Sequence, residues 1–101
     1  VEECNILFEH IDTSIVKLTL DTGHGNLCDC LHDLVATFSE RLAFPHLHDN
    51  NGIKDQHFVP GRGTIDWKRL ISDLDRAGYI GPLNFELREE ATLFELKKTL
   101  A

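Results

Sequence analysis

The sequence predicts an α/β fold, a parallel βαβαβα segment, and three observations predict it. Ile15–Asp21, Ala43–His48 and Leu83–Leu87 each alternate apolar and polar residues, the period of a strand with one buried face. Apolar residues at helical spacing fill the intervals, and strands separated by helices imply right-handed crossovers and a parallel sheet. Asp21, His46, His48 and Glu86 all fall at the carboxyl ends of those strands, where such sheets place their sites.

In chain order, Val1–Ser14 holds the end of a helix, with Ile6, Leu7 and Ile11 as its stripe. On Ile15–Asp21, Val16, Leu18 and Leu20 share one face and Lys17, Thr19 and Asp21 the other. Thr22–Asn26 reads as a turn with Asn26 as a helix cap, and Leu27, Leu31, Leu34, Phe38 and Leu42 then mark an amphipathic helix. Cys28 and Cys30 fall inside it, where i and i+2 share no face, so they read as ordinary helix filling. On Ala43–His48, Pro45 weakens the middle of the strand because it has no N–H for a ladder. Asn50–Gly63 is a long loop, and loops of that length are commonly functional. Asp66 caps a helix carrying Trp67, Leu70, Ile71 and Leu74, which Gly78 stops. Trp67 is expected as a core anchor. After the Gly81-Pro82 turn, Leu83, Phe85 and Leu87 alternate with Asn84 and Glu86, and a last helix from about Glu89 bears Leu93, Leu96 and Leu100.

Composition bounds the rest. With 101 residues and a formal charge of −7, the chain is one domain at most. Its apolar runs are too short to span a membrane, and its amino end lacks the basic-then-apolar order of a signal peptide. The acidic balance argues against binding nucleic-acid phosphates unaided. Three cysteines, Cys4, Cys28 and Cys30, make no disulfide framework, so a cytoplasmic setting is expected.

The faces opposite the aliphatic stripes carry the chemistry. His46 and His48, at i and i+2, point to one side of their strand roughly 7 Å apart. Asp55 and His57 repeat that spacing in the following loop, His24 lies in the first turn, and Arg62 sits between Gly61 and Gly63. Taken singly, each has a bland alternative: solvated strand-end acids, a core histidine, turn polarity, an exposed arginine. Convergence from three strands favours a site for Asp21, His46 and Glu86, and contact with metal or substrate for His24, Asp55 and His57. His48 divides between a packing role and a supporting one. Arg62 is weighed as a phosphate contact against a plain turn residue. His10 and His32 show no partners and read as surface. A three-stranded sheet cannot close, whereas a (β/α)8 barrel needs about 250 residues. An open edge and apolar face predict self-association or a complementary half.

Four segments carry a family resemblance. Leu20-Asp21-Thr22-Gly23-His24-Gly25-Asn26-Leu27 resembles the DTGH segment of the xylose isomerase-like TIM-barrel superfamily, and His46-Leu47-His48-Asp49-Asn50 resembles its next strand. Asp55 to Trp67 is similar to its D-x-H…PG-x-G-x-[IF]-DW loop, and Pro82-Leu83-Asn84-Phe85-Glu86 to its last strand. That superfamily holds sugar isomerases and epimerases and the endonuclease IV enzymes (AP endonuclease family 2). The resemblance implies the last three or so units of a TIM barrel, with 1–101 a single incomplete barrel domain. It implies a divalent metal (Mn, Mg or Zn) on Asp21, His46 and Glu86, and Glu86 as acid/base. His24 follows as a catalytic and substrate-contacting residue, and His48 and Arg62 as substrate contacts. In the endonuclease branch His24, Asp55 and His57 match ligands of an additional zinc. A further family glutamate, from an earlier strand, has no counterpart here. The implied activity is a metal-dependent isomerase or epimerase acting on a sugar or sugar phosphate through an enediolate. The alternatives are an abasic-site endonuclease with a multi-zinc site and a non-catalytic barrel fragment.

Overall fold

A computed structural model describes residues 1–12, 14–88 and 93–101. Among the described residues, five α-helices surround a short parallel sheet: α1 (Glu2–Glu9), α2 (Thr22–Leu27), α3 (Leu31–Phe38), α4 (Trp67–Arg76) and α5 (Leu93–Leu100), with strands β1 (His46–Leu47) and β2 (Asn84–Phe85). β1 pairs with β2 in parallel, His46 opposite Asn84 and Leu47 opposite Phe85. Residues 18–21 lie along the other side of β1, where Leu18 bridges Leu42 and Asp21 bridges His46, both parallel. The α/β class and the parallel order expected from the pattern are therefore present.

The strands are shorter than the alternation predicts. Between the two bridges the partner segment carries residues 43–45 against 19–20, one residue more, which is a bulge. Phe44 takes a positive φ of 48° there, and Pro45 has no N–H to give. The ladder expected over Ile15–Asp21 and Ala43–His48 is thus cut into separate contacts by the proline that weakened the reading of that strand. Alternation still sorts the faces: Leu47 is fully buried, while half-exposed Phe44 and partly buried His46 lie opposite.

Two local readings are corrected. Thr22–Asn26 is the body of α2 rather than a turn, and Asp21, not Asn26, is its cap: the Asp21 Oδ1 accepts the His24 N–H at 2.8 Å. The long helix expected over Leu27–Leu42 breaks at residues 28–30, where Asp29 adopts φ 51°, a left-handed conformation that aspartate tolerates better than most residues. It resumes as α3 and tightens into a 3₁₀ turn at Ser39–Arg41. Cys28 and Cys30 therefore flank a break instead of filling a helix. α4 follows its reading, with Asp66 accepting the Arg69 N–H at 3.0 Å and Gly78 ending it at φ 75°. The final helix is described from Leu93, and its expected start near Glu89 lies outside the described residues.

Leu20, Leu31, Val35, Leu47, Ile65, Trp67, Leu70 and Leu74 form one buried cluster between sheet and helices. Removing a side chain such as that of fully buried Leu70 costs about 2–5 kcal/mol in such cores. Trp67 is 3% exposed, as expected of an anchor. His32 departs from its surface reading: its Nδ1 lies 3.0 Å from Asp73 Oδ2, joining α3 to α4. Exposed His10 makes a local contact, 2.9 Å from the Ile6 carbonyl.

One buried carboxylate organises the long loop. Asp49 has no exposed surface and accepts the N–H groups of Asn50 (2.9 Å), Gly61 (3.0 Å), Gly63 (3.0 Å) and Ile65 (3.2 Å) and the Trp67 indole N–H (2.8 Å). Its backbone bridges Phe58 in antiparallel fashion. The fit around it is close: a Cβ on Gly63 would lie 2.1 Å from the Asn50 carbonyl oxygen. Asp49 thereby ties both ends of the loop bearing Asp55 and His57 to the carboxyl end of β1.

Candidate metal centre

The carboxyl ends of the three parallel segments deliver Asp21, His46, His48 and Glu86 to one place. Thr22 fixes α2 to β1: its hydroxyl donates to the His48 carbonyl at 2.8 Å, and the same oxygen accepts the His48 N–H at 3.0 Å. Gly23 makes room for the imidazole, since a Cβ there would fall 2.0 Å from His48 Cε1. Asn50, also buried, donates to the Gly23 carbonyl at 2.9 Å.

Around that frame runs a chain of acids and imidazoles. His48 Nε2 lies 3.0 Å from Asp21 Oδ1, and His24 Nδ1 3.0 Å from Asp21 Oδ2. Asp55 stands 3.7 Å from His24 Nε2 through one oxygen, and through the other 3.2 Å from His57 Nε2 and 3.9 Å from His48 Nδ1. His46 Nδ1 is 3.3 Å from Glu86 Oε1. Among the described residues, two groups bring their ligand atoms within 4.8 Å of one another: Asp21, His48 and Glu86, and His48, Asp55 and His57. The residues expected to hold metal are thus adjacent, but His48 rather than His46 completes the compact groups. His48 has no exposed surface, so the substrate contact expected of it is not available in this arrangement. Arg62 is directed to α5, 3.6 Å from Glu95.

Hydrogen-bond roles decide what the centre lacks. Asp21 is an acceptor, so the neutral His48 tautomer that satisfies it carries its proton on Nε2 and leaves Nδ1 a lone pair. His57 Nδ1 lies 2.8 Å from the Glu86 carbonyl and bears the proton, which leaves Nε2 a lone pair. Both lone pairs face the Asp55 carboxylate, another acceptor. His48 Nδ1 and Asp55 Oδ1 are buried without a hydrogen-bond partner. Acceptors gathered without donors call for a cation, and nitrogen and carboxylate donors suit Zn²⁺, Mn²⁺ or Mg²⁺. The backbone carbonyl on His57 Nδ1 is the support that metal-bound histidines usually have. The rings of His48 and His57 stack at 3.8 Å and 1°. Parallel rings keep their in-plane lone pairs in separate planes, so one ion cannot lie on the axis of both.

Electrostatics match. Burial works to raise the Asp21 carboxyl, but the His24 backbone N–H, with His48 and His24 nearby, holds it below the usual carboxylate range. Burial pushes the His48 imidazole below its ordinary value, against Asp21, and His57 pushes the same way. A deprotonated carboxylate beside a neutral imidazole is the state in which both bind a cation.

The anchors Thr22, Asp49 and Asn50 escaped the sequence reading. Their signal was position alone, each within two residues of a candidate ligand at the end of a strand.

Comparisons with known proteins bear on family and fold. The sequence profile described as xylose isomerase-like TIM barrel matches residues 1–100. An uncharacterized protein of Sinorhizobium fredii is 33% identical over 81 residues, covering 79% of this chain and 26% of its own length. A D-psicose 3-epimerase of Enterocloster bolteae is 31% identical over 81 residues, 79% of this chain and 25% of that protein. The crystal structure of a D-tagatose 3-epimerase-like protein superposes with a TM-score of 0.69 at 27% identity, covering 89% of this chain and 34% of that one. The chain thus spans about a quarter to a third of the relatives it matches.

Proposed function

Because the chain belongs to the xylose isomerase-like TIM-barrel family, we propose that it is the carboxy-terminal part of a (β/α)8 barrel, its last three or so units, and that the whole barrel isomerises or epimerises a sugar or sugar phosphate. The observation that carries this reading is the meeting of Asp21, His48 and Glu86 at the carboxyl ends of parallel segments, within 4.8 Å. The similarity to D-psicose and D-tagatose 3-epimerase proteins supports the substrate class.

Asp21, His48 and Glu86 would hold a divalent ion, with His46 beside Glu86, once the His48 proton sits on Nδ1, on the Asp55 side, and frees the Nε2 lone pair that faces Asp21. When bound, the ion polarises substrate oxygens and offsets the negative charge of an enediolate. Glu86 is the acid/base that moves the proton at the carbon next to the carbonyl. His24, whose side chain is 62% exposed and oriented by Asp21, contacts the substrate. Arg62 is left to a phosphate of the substrate or to its turn. A cytoplasmic setting is supported by three free cysteines. Among the described residues no helix is long and apolar enough to cross a membrane. Exposed Ile15, Phe44 and Ile80 support self-association or a complementary barrel half; a sharp monomer peak in light scattering would contradict both.

A second reading, an endonuclease acting at abasic sites, is favoured by the Asp55–His57 pair, 3.2 Å apart and suited to a further zinc. The parallel stacking of His57 on His48 weighs against one ion shared by both rings, and the charge of −7 weighs against a DNA backbone.

The test is metal content by elemental analysis of the parent, His48→Ala, His46→Ala and Glu86→Ala, followed by deuterium uptake from D2O next to the carbonyl of a ketohexose. One equivalent lost in His48→Ala and Glu86→Ala is expected. Metal retained in Glu86→Ala would overturn the assignment, and two or more equivalents in the parent would favour the endonuclease. A parent that binds its ion but exchanges no deuterium, even with the rest of the barrel supplied, would fit the non-catalytic fragment.

A further inference from the structure

The cysteines of the chain line one cavity that reaches the acid–imidazole chain at Asp21 and His24. Cys4 of α1 and Cys28 and Cys30 of the α2–α3 break meet Leu18, Leu20 and Leu34 around a volume of about 240 Å³. In a continuous helix, residues i and i+2 diverge by about 200° at 3.6 residues per turn. The break removes that divergence. α2 ends at Leu27, Asp29 turns through φ 51°, and α3 starts at Leu31. The Cys28 N–H donates to the His24 carbonyl at 3.1 Å and the Cys30 N–H to the Gly25 carbonyl at 3.0 Å. Two residues that a helix would separate are thereby turned into one cavity.

We propose that Cys28 and Cys30 form a dithiol site for a soft, thiophilic centre, a trivalent arsenical or a d¹⁰ metal ion, on the flank of the histidine–carboxylate centre. Softness sorts the two: thiolates select soft ions, whereas Asp21, His48 and Glu86 offer one imidazole and two hard oxygens. Burial, with Cys28 beside it, raises the Cys30 thiol above its usual range, so Cys30 stays protonated near neutrality and is a poor nucleophile toward peroxides. Condensation with an arsenical does not need a standing thiolate. Phenylarsine oxide and two thiols give the cyclic dithioarsenite and water. Two As–S bonds form, the As–O bond breaks, both thiol protons leave in the water, and arsenic stays trivalent.

The 101-residue chain is titrated with phenylarsine oxide and read by intact mass, peptide mapping and residual thiol count. The site predicts one equivalent per chain, a linked peptide containing Cys28 and Cys30, and a Cys4 that still reacts with iodoacetamide. Cys28→Ser and Cys30→Ser should each lose affinity by about 100-fold or more, because the second bond is no longer intramolecular. Cys4→Ser should bind as the parent does. A linkage through Cys4, or parent-like binding by Cys30→Ser, overturns the proposal. The peptide map decides even if a variant misfolds.

Discussion

Replacing Asp49 with asparagine should destabilise the chain more than most single changes can. One Asp49 oxygen accepts from Gly61, Gly63 and the Trp67 indole, and the other from Asn50 and Ile65. An amide has one acceptor oxygen, so at least the smaller set meets an NH₂ group instead. A buried donor left unpaired costs about 1–3 kcal/mol. Two such donors, with the remaining bonds no longer charge-assisted, come to about 3–5 kcal/mol, against a typical domain stability of about 5–15 kcal/mol. The assay is urea unfolding near neutral pH, followed by fluorescence of the single tryptophan, which itself donates to Asp49. A lower midpoint, a shifted native emission and weaker metal binding are expected together, since the loop bearing Asp55 and His57 hangs on this carboxylate. A loss below about 1 kcal/mol with unchanged emission would refute the reasoning, because it would mean that the five donors find other partners.

Other perturbations probe separate links. Gly23→Ala forces a Cβ into the His48 ring and should abolish metal binding, while exposed Gly78→Ala, with nothing within 4 Å, should affect stability alone; elemental analysis and thermal melts of both variants check this. Asp73 is raised by burial but lowered more by His32 and Arg76, so it titrates below its unfolded value. Its contribution to stability is therefore present above the unfolded value and lost as pH falls through the folded one. Asp73→Asn should melt below the parent at about pH 6 and together with it at about pH 2. Asp29→Gly should raise stability by about 0.5–1 kcal/mol, because φ 51° suits glycine; a lower urea midpoint would show that the Asp29 side chain makes a needed contact.

The sequence by itself determined the parallel α/β order, the buried stripe of α4 and the gathering of Asp21, the His46/His48 pair and Glu86 at strand ends. These follow from periods of 2 and 3.6, which act between near neighbours and are written in the residue order. The Asp66 cap and the Gly78 stop were legible for the same reason. Tertiary structure alone decided that Asp21 caps α2, that the helix after it breaks at Asp29, and that a bulge at Phe44-Pro45 cuts the sheet into short pieces. Each is a compromise between local preference and long-range packing, such as Thr22 reaching the backbone of His48. It also decided which histidine enters the compact groups. His46 and His48 share a face by period, but only the seat beneath Gly23, the stack with His57 and the hydrogen bond to Asp21 put the buried one between two carboxylates. A contact between residues 27 positions apart, Asp21 and His48, leaves no mark in local pattern, because its free energy is gained only when the chain has folded.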